Sequence, residues 1–178
     1  MRIYELLEDD KFYFIVSEFI KFGELYDYVV KRSDSNLGPM TENEVKIVAR
    51  QLLYALNYMH KRNIAHRDIK PENVLIDSID GDGLTIKITD FGFASYFNNV
   101  DKLDEVLGSP LYMPPEIIHG QKYDSNVDVW SACIVIYIMM CGKPPFFGLD
   151  KEEVYKNITN MEVPFPSDSW RSVSENAK

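Results

Sequence analysis

Two short polar blocks constrain the fold of this chain more than any other feature. The first reads His-Arg-Asp-Ile-Lys-Pro-Glu-Asn over residues 66–73, and the second reads Asp-Phe-Gly over residues 90–92. Between them, residues 73–76 and 84–89 carry the aliphatic and β-branched side chains typical of strands. The Asp- and Gly-rich residues 77–83 predict a tight turn. A β-hairpin here would bring its two ends, and with them both blocks, together.

The two blocks contain the groups that phosphoryl transfer requires. That reaction needs metal ions on the phosphates, a carboxylate facing the attacking hydroxyl and cations against the developing charge. The first block supplies a carboxylate (Asp68), a cation (Lys70) and an amide that can bind a metal (Asn73), and the second supplies another carboxylate (Asp90). An isolated His-Arg-Asp occurs by chance, whereas both blocks in this order are a specific signal. We therefore predict that these four side chains share one metal–phosphate site.

The rest of the chain predicts a mainly helical protein. Thr41 and Glu44 form a capping-box pattern, and apolar residues recur behind them at helical spacing up to Met59. Residues 127–140 are apolar on nearly all sides, which predicts a buried helix that ends at Gly142. Further predicted elements are a strand over residues 12–19, helices over residues 23–32 and 151–158, and a loop over residues 33–40.

At the two polar blocks the sequence resembles the eukaryotic protein kinases, and the resemblance extends over almost the whole chain. Residues 113–116 (Met-Pro-Pro-Glu) are similar to the Ala-Pro-Glu motif of that family, with Pro114 in place of alanine. Residues 128–131 resemble the start of the family's large buried helix, and residues 143–146 resemble the loop that follows it.

The resemblance extends to a subgroup. Lys70, two residues after Asp68, and Ser109 after a glycine follow the pattern of serine/threonine kinases, not that of tyrosine kinases. Residues 18–25, 136–139 and 143–146 look most like the calcium- and calmodulin-dependent group, with the calcium-dependent kinases of plants and protists as the closest fit. The implied activity is transfer of the γ-phosphoryl group of ATP, with Mg²⁺, to a serine or threonine of a protein.

The resemblance also implies an α+β, protein-kinase-like fold in which most of the N-terminal lobe is absent. Residues 1–17 would be a remnant of its strands, residues 18–24 the hinge, and residues 25–178 a mainly helical C-terminal lobe with a small β element, incomplete at its C-terminal end. The glycine-rich loop, strand lysine and helix glutamate that open the family's pattern have no counterpart in the sequence. We expect a piece of a longer kinase that is inactive or nearly so alone. The alternative is a short, catalytically silent scaffold or binding protein.

The family's catalytic roles fall on the residues of the two blocks. Asp68 would orient the substrate hydroxyl and accept its proton, and Lys70 would steady the phosphoryl group. Asn73 and Asp90 would hold Mg²⁺. Around the nucleotide, the resemblance implies backbone contacts to adenine from Glu18 and Ile20, Leu75 beneath the ring, Ser17 behind it, and Glu24 at the ribose. A basic substrate residue would meet Glu24 or Glu72.

Other positions are expected to support the site. His66 and Asp128 resemble structural residues of the family, with Asp128 holding the catalytic loop from below. His60 and His119 are expected to be incidental, because no partner is visible near them in the sequence. Cys133 stands where the family usually has glycine and is expected to crowd the buried helix.

The segment between the Asp-Phe-Gly block and residue 113 predicts how the site is ordered. Arg67, beside Asp68, marks kinases whose activation loop is held by an anion. Residues 96–108 contain no serine or threonine, whereas Asp104 and Glu105 lie there. We predict that Glu105, or otherwise Asp104, pairs with Arg67 and orders the loop without phosphorylation. The alternative is that both acids are simply exposed.

Composition limits the expected partners and location. The 19 basic and 28 acidic residues give a net charge of −9, which disfavours nucleic acid and anionic membranes and is compatible with a basic protein or peptide substrate. The two cysteines lack metal-ligand spacing and are expected to be small buried hydrophobes. With no secretory signal visible, a cytoplasmic protein is expected. Residues 12–16 are expected to form an exposed apolar edge that favours a non-native dimer.

Overall fold

A short strand pair precedes a mainly helical body in the computed structural model, which describes residues 1–35, 37–81, 83–98 and 103–178. The strands are β1 (Ile3–Glu8), β2 (Tyr13–Ser17), β3 (Ile64–Ala65), β4 (Val74–Asp80), β5 (Gly83–Ile88) and β6 (Ser95–Tyr96). The α-helices are α1 (Leu25–Asp34), α2 (Glu42–His60), α3 (Pro115–Ile118), α4 (Asn126–Cys141), α5 (Lys151–Asn160) and α6 (Ser167–Trp170). Single 3₁₀ turns cover Pro71–Asn73, Pro110–Tyr112 and Glu175–Ala177. This arrangement confirms the predicted α+β fold class.

Helix α2 begins where the capping box predicts. The Thr41 hydroxyl accepts a hydrogen bond from the Glu44 amide at 3.3 Å, and the Glu44 carboxylate accepts one from the Thr41 amide at 2.7 Å. Val48, Leu52 and Leu56 lie on one face of the helix at spacings of four residues, and all three are buried. This face packs against helix α4, so the two longest helices form the centre of the core.

Helix α4 is buried on most but not all of its surface. Gly142, in the left-handed conformation with a φ of 77°, ends it, and its amide donates to the Ile138 carbonyl at 2.7 Å. Val129 is 39% exposed, and Cys133, four residues later on the same face, is also exposed. The expectation that Cys133 is buried and crowds the helix is therefore wrong, because none of the described elements covers that face. Cys141 is buried as expected.

The predicted hairpin is formed by strands β4 and β5. Its antiparallel register runs from Val74 opposite Ile88 to Asp80 opposite Gly83. The turn is thus shorter than the predicted residues 77–83, because β4 continues through a bulge to Asp80; residue 82 lies outside the described residues. The side-chain amide of Gln51 on helix α2 donates to Leu84 O and accepts from Ile86 N, which fastens β5 to the core.

Strands β1 and β2 form a separate antiparallel ribbon. Ile15 lies opposite Leu6, and these side chains are 64% and 65% exposed. The predicted exposed apolar strand is therefore present, paired on one edge with β1. Dimerisation through it stays a prediction. Among the described residues, no helix is both long enough and apolar enough to span a membrane.

Helix α1 begins two residues later than predicted, because the preceding residues belong to a strand-like contact. The Gly23 carbonyl accepts from the Ile76 amide at 2.8 Å, and Glu24 forms a β-bridge with Leu75. A φ of 74° at Gly23 turns the chain from this bridge toward the helix. The segment between β2 and α1 is thereby attached to strand β4, beside the two polar blocks.

Candidate active site

The catalytic loop, residues 66–73, is held from below by one buried carboxylate on helix α4. Asp128 Oδ2 accepts a hydrogen bond from the His66 amide, and Oδ1 accepts one from the Arg67 amide, both at 2.8 Å. Arg67 has a φ of 69°, an uncommon left-handed conformation for a residue with a side chain. The Asp128 side chain is fully buried. Asp128 therefore fixes the backbone on the N-terminal side of Asp68, in the position that the resemblance implies.

A histidine that was expected to be incidental belongs to the same support. His60 Nε2, at the end of helix α2, lies 2.8 Å from Asp128 Oδ2, so that expectation is wrong for His60. Sequence reasoning missed the contact because the two residues are 68 positions apart. His119, by contrast, is exposed.

His66 is a packing residue of the loop. Its ring is buried, with Nε2 at 3.0 Å from the Thr89 carbonyl and the Phe91 ring at a centroid distance of 4.9 Å. Burial lowers the pKa of His66, so its imidazole is neutral at neutral pH. These contacts are those of the structural residue that was expected.

The Asp68 carboxylate lies at the centre of a cluster of donors. Ser109 donates to Oδ1 through its amide at 3.1 Å and through its hydroxyl at 2.9 Å. Lys70 Nζ is 2.8 Å from Oδ2, and the side-chain amide of Asn73 donates to the same oxygen at 3.1 Å. Burial opposes ionisation, but the hydrogen bonds from Lys70 and Ser109 outweigh it and lower the pKa of Asp68. Three of the four predicted residues therefore meet directly, with Ser109 as an additional member.

Lys70 provides a fixed positive charge at this point. Besides its contact with Asp68, its ammonium group donates to the Ser109 hydroxyl at 3.0 Å. Burial opposes the charge, but the hydrogen bond with Asp68 and the negative charges of Asp68, Glu72 and Asp90 together raise the pKa of Lys70. The lysine is consequently charged throughout the neutral range.

Asp90 reaches the same region from the other end of the hairpin. The Thr89 amide donates to the Asn73 carbonyl at 3.0 Å, so residues 73 and 89 are adjacent. Asp90 is exposed, has a φ of 58°, and accepts from the Gly92 amide at 3.2 Å. Its charge contributes to the raised pKa of Lys70, as expected for a carboxylate beside the cluster. The hairpin thus brings both polar blocks to one place.

Two side chains of the cluster carry oxygen atoms of the kind that binds Mg²⁺. The described residues contain no group of three or more His, Cys, Asp or Glu side chains that could enclose a metal. Mg²⁺ is usually bound through one or two protein oxygens together with substrate phosphates and water. The Asp90 carboxylate and the side-chain oxygen of Asn73 are candidate ligands of this kind.

The segment between β2 and α1 carries a polar network beside the predicted adenine contacts. The Glu18 carboxylate is 2.8 Å from Lys87 Nζ on strand β5 and accepts from the Arg2 amide at 2.6 Å. The hydrogen bond from Lys87 and then that from Arg2 lower the pKa of Glu18. Lys87 is also 3.1 Å from Asp77. The sequence predicted only a backbone role for Glu18, because Lys87 is 69 positions away.

The other predicted nucleotide contacts lie along the same segment or beside it. Ser17 ends strand β2 and is partly buried, and Ile20 is buried. Leu75 lies on strand β4 as the bridge partner of Glu24. The Glu24–Leu75 bridge and the Glu18–Lys87 ion pair therefore join this segment to both strands of the hairpin.

Arg67 connects the catalytic loop to the activation segment. Its guanidinium lies 2.7 Å from Glu105 Oε2 and also donates to the Phe93 carbonyl. The Arg67 side chain is only 6% exposed, whereas that of Glu105 is 61% exposed. Asp104, the alternative partner, is exposed. The predicted Arg67–Glu105 ion pair is present, and its effect on loop order stays a prediction.

Glu72, predicted as a contact for a basic substrate residue, is partly buried. Its Oε2 atom is buried and has no hydrogen-bond partner among the described residues. Burial and then the nearby charge of Glu72 raise the pKa of Tyr112, which places that carboxylate beside the 3₁₀ turn Pro110–Tyr112. Buried carboxylate oxygens are seldom left without a donor. Glu24, the other predicted contact for a basic substrate residue, is partly buried.

Comparison with known proteins agrees with this geometry. The whole chain, residues 1–178, matches the protein kinase domain. It is 40% identical over 179 residues to calcium-dependent protein kinase 5 of Plasmodium falciparum (isolate 3D7), covering 100% of this chain and 30% of that protein. It is 37% identical over 178 residues to a probable myosin light chain kinase of Dictyostelium discoideum, covering 100% of this chain and 49% of that protein.

These relatives confirm the predicted similarity to calcium-dependent protein kinases. The chain spans 30% and 49% of the length of these two relatives, so it corresponds to less than half of either. Its match along all 178 residues establishes that the chain belongs to the protein kinase family.

Proposed function

We propose that this site transfers the γ-phosphoryl group of Mg·ATP to a serine or threonine hydroxyl of a protein. The observation that carries the proposal is the environment of Asp68, whose carboxylate is kept ionised and oriented by Lys70, Ser109 and Asn73. A carboxylate held in this way can face the attacking hydroxyl and take up its proton as the bond to phosphorus forms. Because the protein contributes mainly position and charge to this reaction, fixed geometry is the main requirement.

We propose a role for each of the remaining predicted residues. Lys70, charged and 2.8 Å from Asp68, would meet the oxygens of the transferred group. Asn73 and Asp90 would hold Mg²⁺, which neutralises charge on the phosphates when bound. The backbones of Glu18 and Ile20 would meet the adenine, with Leu75 beneath it, Ser17 behind it and Glu24 toward the ribose.

The proposed substrate is a protein segment with a basic residue near the phosphorylated hydroxyl. The Glu72 carboxylate supports this, because the residue is only partly buried and its charge lies near Lys70, so a guanidinium group could pair with it. The net charge of −9 would favour encounter with a basic segment.

The assay uses the protein as it is expressed in its own cells, together with γ-labelled Mg·ATP. The substrates are three versions of one arginine-containing peptide, which carry serine, threonine or tyrosine at the same position. We expect label on the serine and threonine peptides and none above background on the tyrosine peptide. Absence of label on all three peptides, with intact Mg·ATP binding, would support the alternative of a catalytically silent binding protein.

The 178-residue chain alone is expected to bind Mg·ATP weakly. Each charge-assisted phosphate contact typically contributes about 1.5–3 kcal/mol, and the sequence has no glycine-rich loop or strand lysine to supply such contacts. Thermal unfolding of this chain with and without Mg·ATP measures the effect, with Asp90→Asn as the control for binding at the site. Stabilisation of about 2.7 kcal/mol, which corresponds to saturation at about 100 times Kd, would contradict the expectation.

Replacing Glu72 is expected to remove the preference for a basic substrate. Glu72→Gln should lower kcat/KM for the arginine-containing peptide by about 10–100-fold, since one charge-assisted hydrogen bond is lost. A peptide with alanine in place of the arginine should be little affected. Glu152→Gln, an exposed glutamate on helix α5, is the matched control. An equal loss for both peptides would show that Glu72 supports the fold and not the substrate.

A further inference from the structure

We propose that Tyr123 is a positioning residue. It holds residues 103–109, the part of the activation loop that contains Asp104 and Glu105, against the catalytic loop without covalent modification. The inference rests on the proposed function, because the residue it supports is Asp68. Tyr123 lies three residues before helix α4 begins, and its side chain is buried against Met113, Ile117 and Val127. It is therefore anchored to the same helix that carries Asp128.

The backbone of Tyr123 pairs with the activation segment. Its amide donates to the Leu103 carbonyl at 2.8 Å, and the Leu103 amide donates to the Tyr123 carbonyl at 3.0 Å. Together these two bonds form an antiparallel β-bridge. They fix the chain two residues before Glu105.

The hydroxyl of Tyr123 contacts both members of the Arg67–Glu105 pair. It donates to the Glu105 carbonyl at 2.7 Å and accepts from Arg67 Nη1 at 3.4 Å. One buried phenol thus determines where the Glu105 backbone lies and also touches the guanidinium that the Glu105 side chain must reach.

The ion pair alone is a poor anchor. The Glu105 carboxylate is 61% exposed, and exposed ion pairs are weak because water and salt compete with them. Tyr123 is 3% exposed, so its hydrogen bonds are largely shielded from this competition. Tyr123 therefore sets the position of the backbone at Glu105, and this position brings the Glu105 carboxylate to Arg67.

The same segment reaches the reacting carboxylate a few residues later. Ser109 donates twice to Asp68, and Gly108 passes so close to the catalytic loop that an added Cβ would be 2.8 Å from the Arg67 carbonyl. Residues 103–109 are thus held by Tyr123 at one end and by Asp68 at the other. Loss of the contacts with Tyr123 would therefore weaken the two hydrogen bonds from Ser109 to Asp68.

Hydrogen exchange of the 178-residue chain tests the inference without requiring activity. Tyr123→Phe keeps the buried ring and removes the hydroxyl, and is expected to accelerate amide exchange in residues 103–109 by about tenfold. Tyr96→Phe alters a 77% exposed tyrosine of strand β6, outside residues 103–109, and should leave exchange in those residues unchanged. Amides of helix α2 report global folding and should keep their protection in both variants.

Glu105→Gln is the second variant and should accelerate exchange less than Tyr123→Phe. The proposal is overturned if Tyr123→Phe leaves residues 103–109 as protected as before, or if Glu105→Gln has the larger effect. In the active protein, Tyr123→Phe should lower kcat about tenfold with little change in KM for ATP. Absence of phosphoryl transfer in the unsubstituted protein would contradict the proposed function, whereas the exchange result would still decide the role of Tyr123.

Discussion

Replacing Asp128 with alanine is expected to lower the free energy of unfolding by about 4 kcal/mol. The fully buried carboxylate accepts hydrogen bonds from the amides of His66 and Arg67 and lies 2.8 Å from the His60 ring. Alanine leaves both buried amides without an acceptor, at a cost of about 1–3 kcal/mol each. Urea denaturation followed by circular dichroism measures the change.

Two comparisons distinguish this effect from a general loss of charge. Asp27→Ala removes an exposed carboxylate from helix α1 and should change stability by no more than about 0.5 kcal/mol. Asp128→Asn keeps one carbonyl oxygen as an acceptor, so its loss in the free energy of unfolding should lie between those of Asp128→Ala and Asp27→Ala. If Asp128→Ala costs no more than Asp27→Ala, the catalytic loop does not depend on this carboxylate.

Asp68→Asn is expected to lower kcat by about 10²–10⁴-fold in the protein encoded by the native transcript. The amide can still accept from Ser109 but cannot take up the proton of the substrate hydroxyl. KM for ATP should change little, because Asp68 is proposed to act on the hydroxyl and not on the nucleotide. The measurement is initial rate at saturating Mg·ATP and peptide, with unfolding by urea as a check on the fold.

Asp104→Asn provides the control for Asp68→Asn. It removes the same charge from an exposed position on the activation segment and should leave kcat unchanged. A kcat for Asp68→Asn within about threefold of the unsubstituted protein would exclude proton acceptance by this carboxylate. Equal losses in the two variants would indicate an effect of net charge.

The parts of the fold that could be predicted depend mostly on sequence patterns among neighbouring residues. The capping box at Thr41, the apolar periodicity behind it, and the apolar run that Gly142 ends all depend on neighbours a few residues away. The open face of helix α4 did not follow from the sequence. An apolar run contains no information on which side a neighbouring element covers, and so the exposure of Cys133 was missed.

In the candidate site, too, short-range features were predictable and long-range contacts were not. Asp68, Lys70 and Asn73 were predictable because they occupy one short loop whose residue types suit the reaction. The double contact of Ser109 with Asp68 spans 41 positions, and that of His60 with Asp128 spans 68. Such contacts are determined by how distant parts of the chain pack, and a single sequence has no local pattern for them. The Arg67–Glu105 pair is an exception, because residues 96–108 carry acids and contain no serine or threonine that could be phosphorylated.

The catalytic loop and the activation loop are both attached to helix α4. Asp128 on the helix binds the catalytic loop, and Tyr123, just before the first turn of the helix, binds the activation loop. The catalytic and activation loops therefore cannot be displaced independently by a movement of this helix. A defect in the packing between α2 and α4 would displace Asp68 and residues 103–109 together. We therefore expect loss of core packing and displacement of the Asp68 carboxylate to occur as one cooperative change.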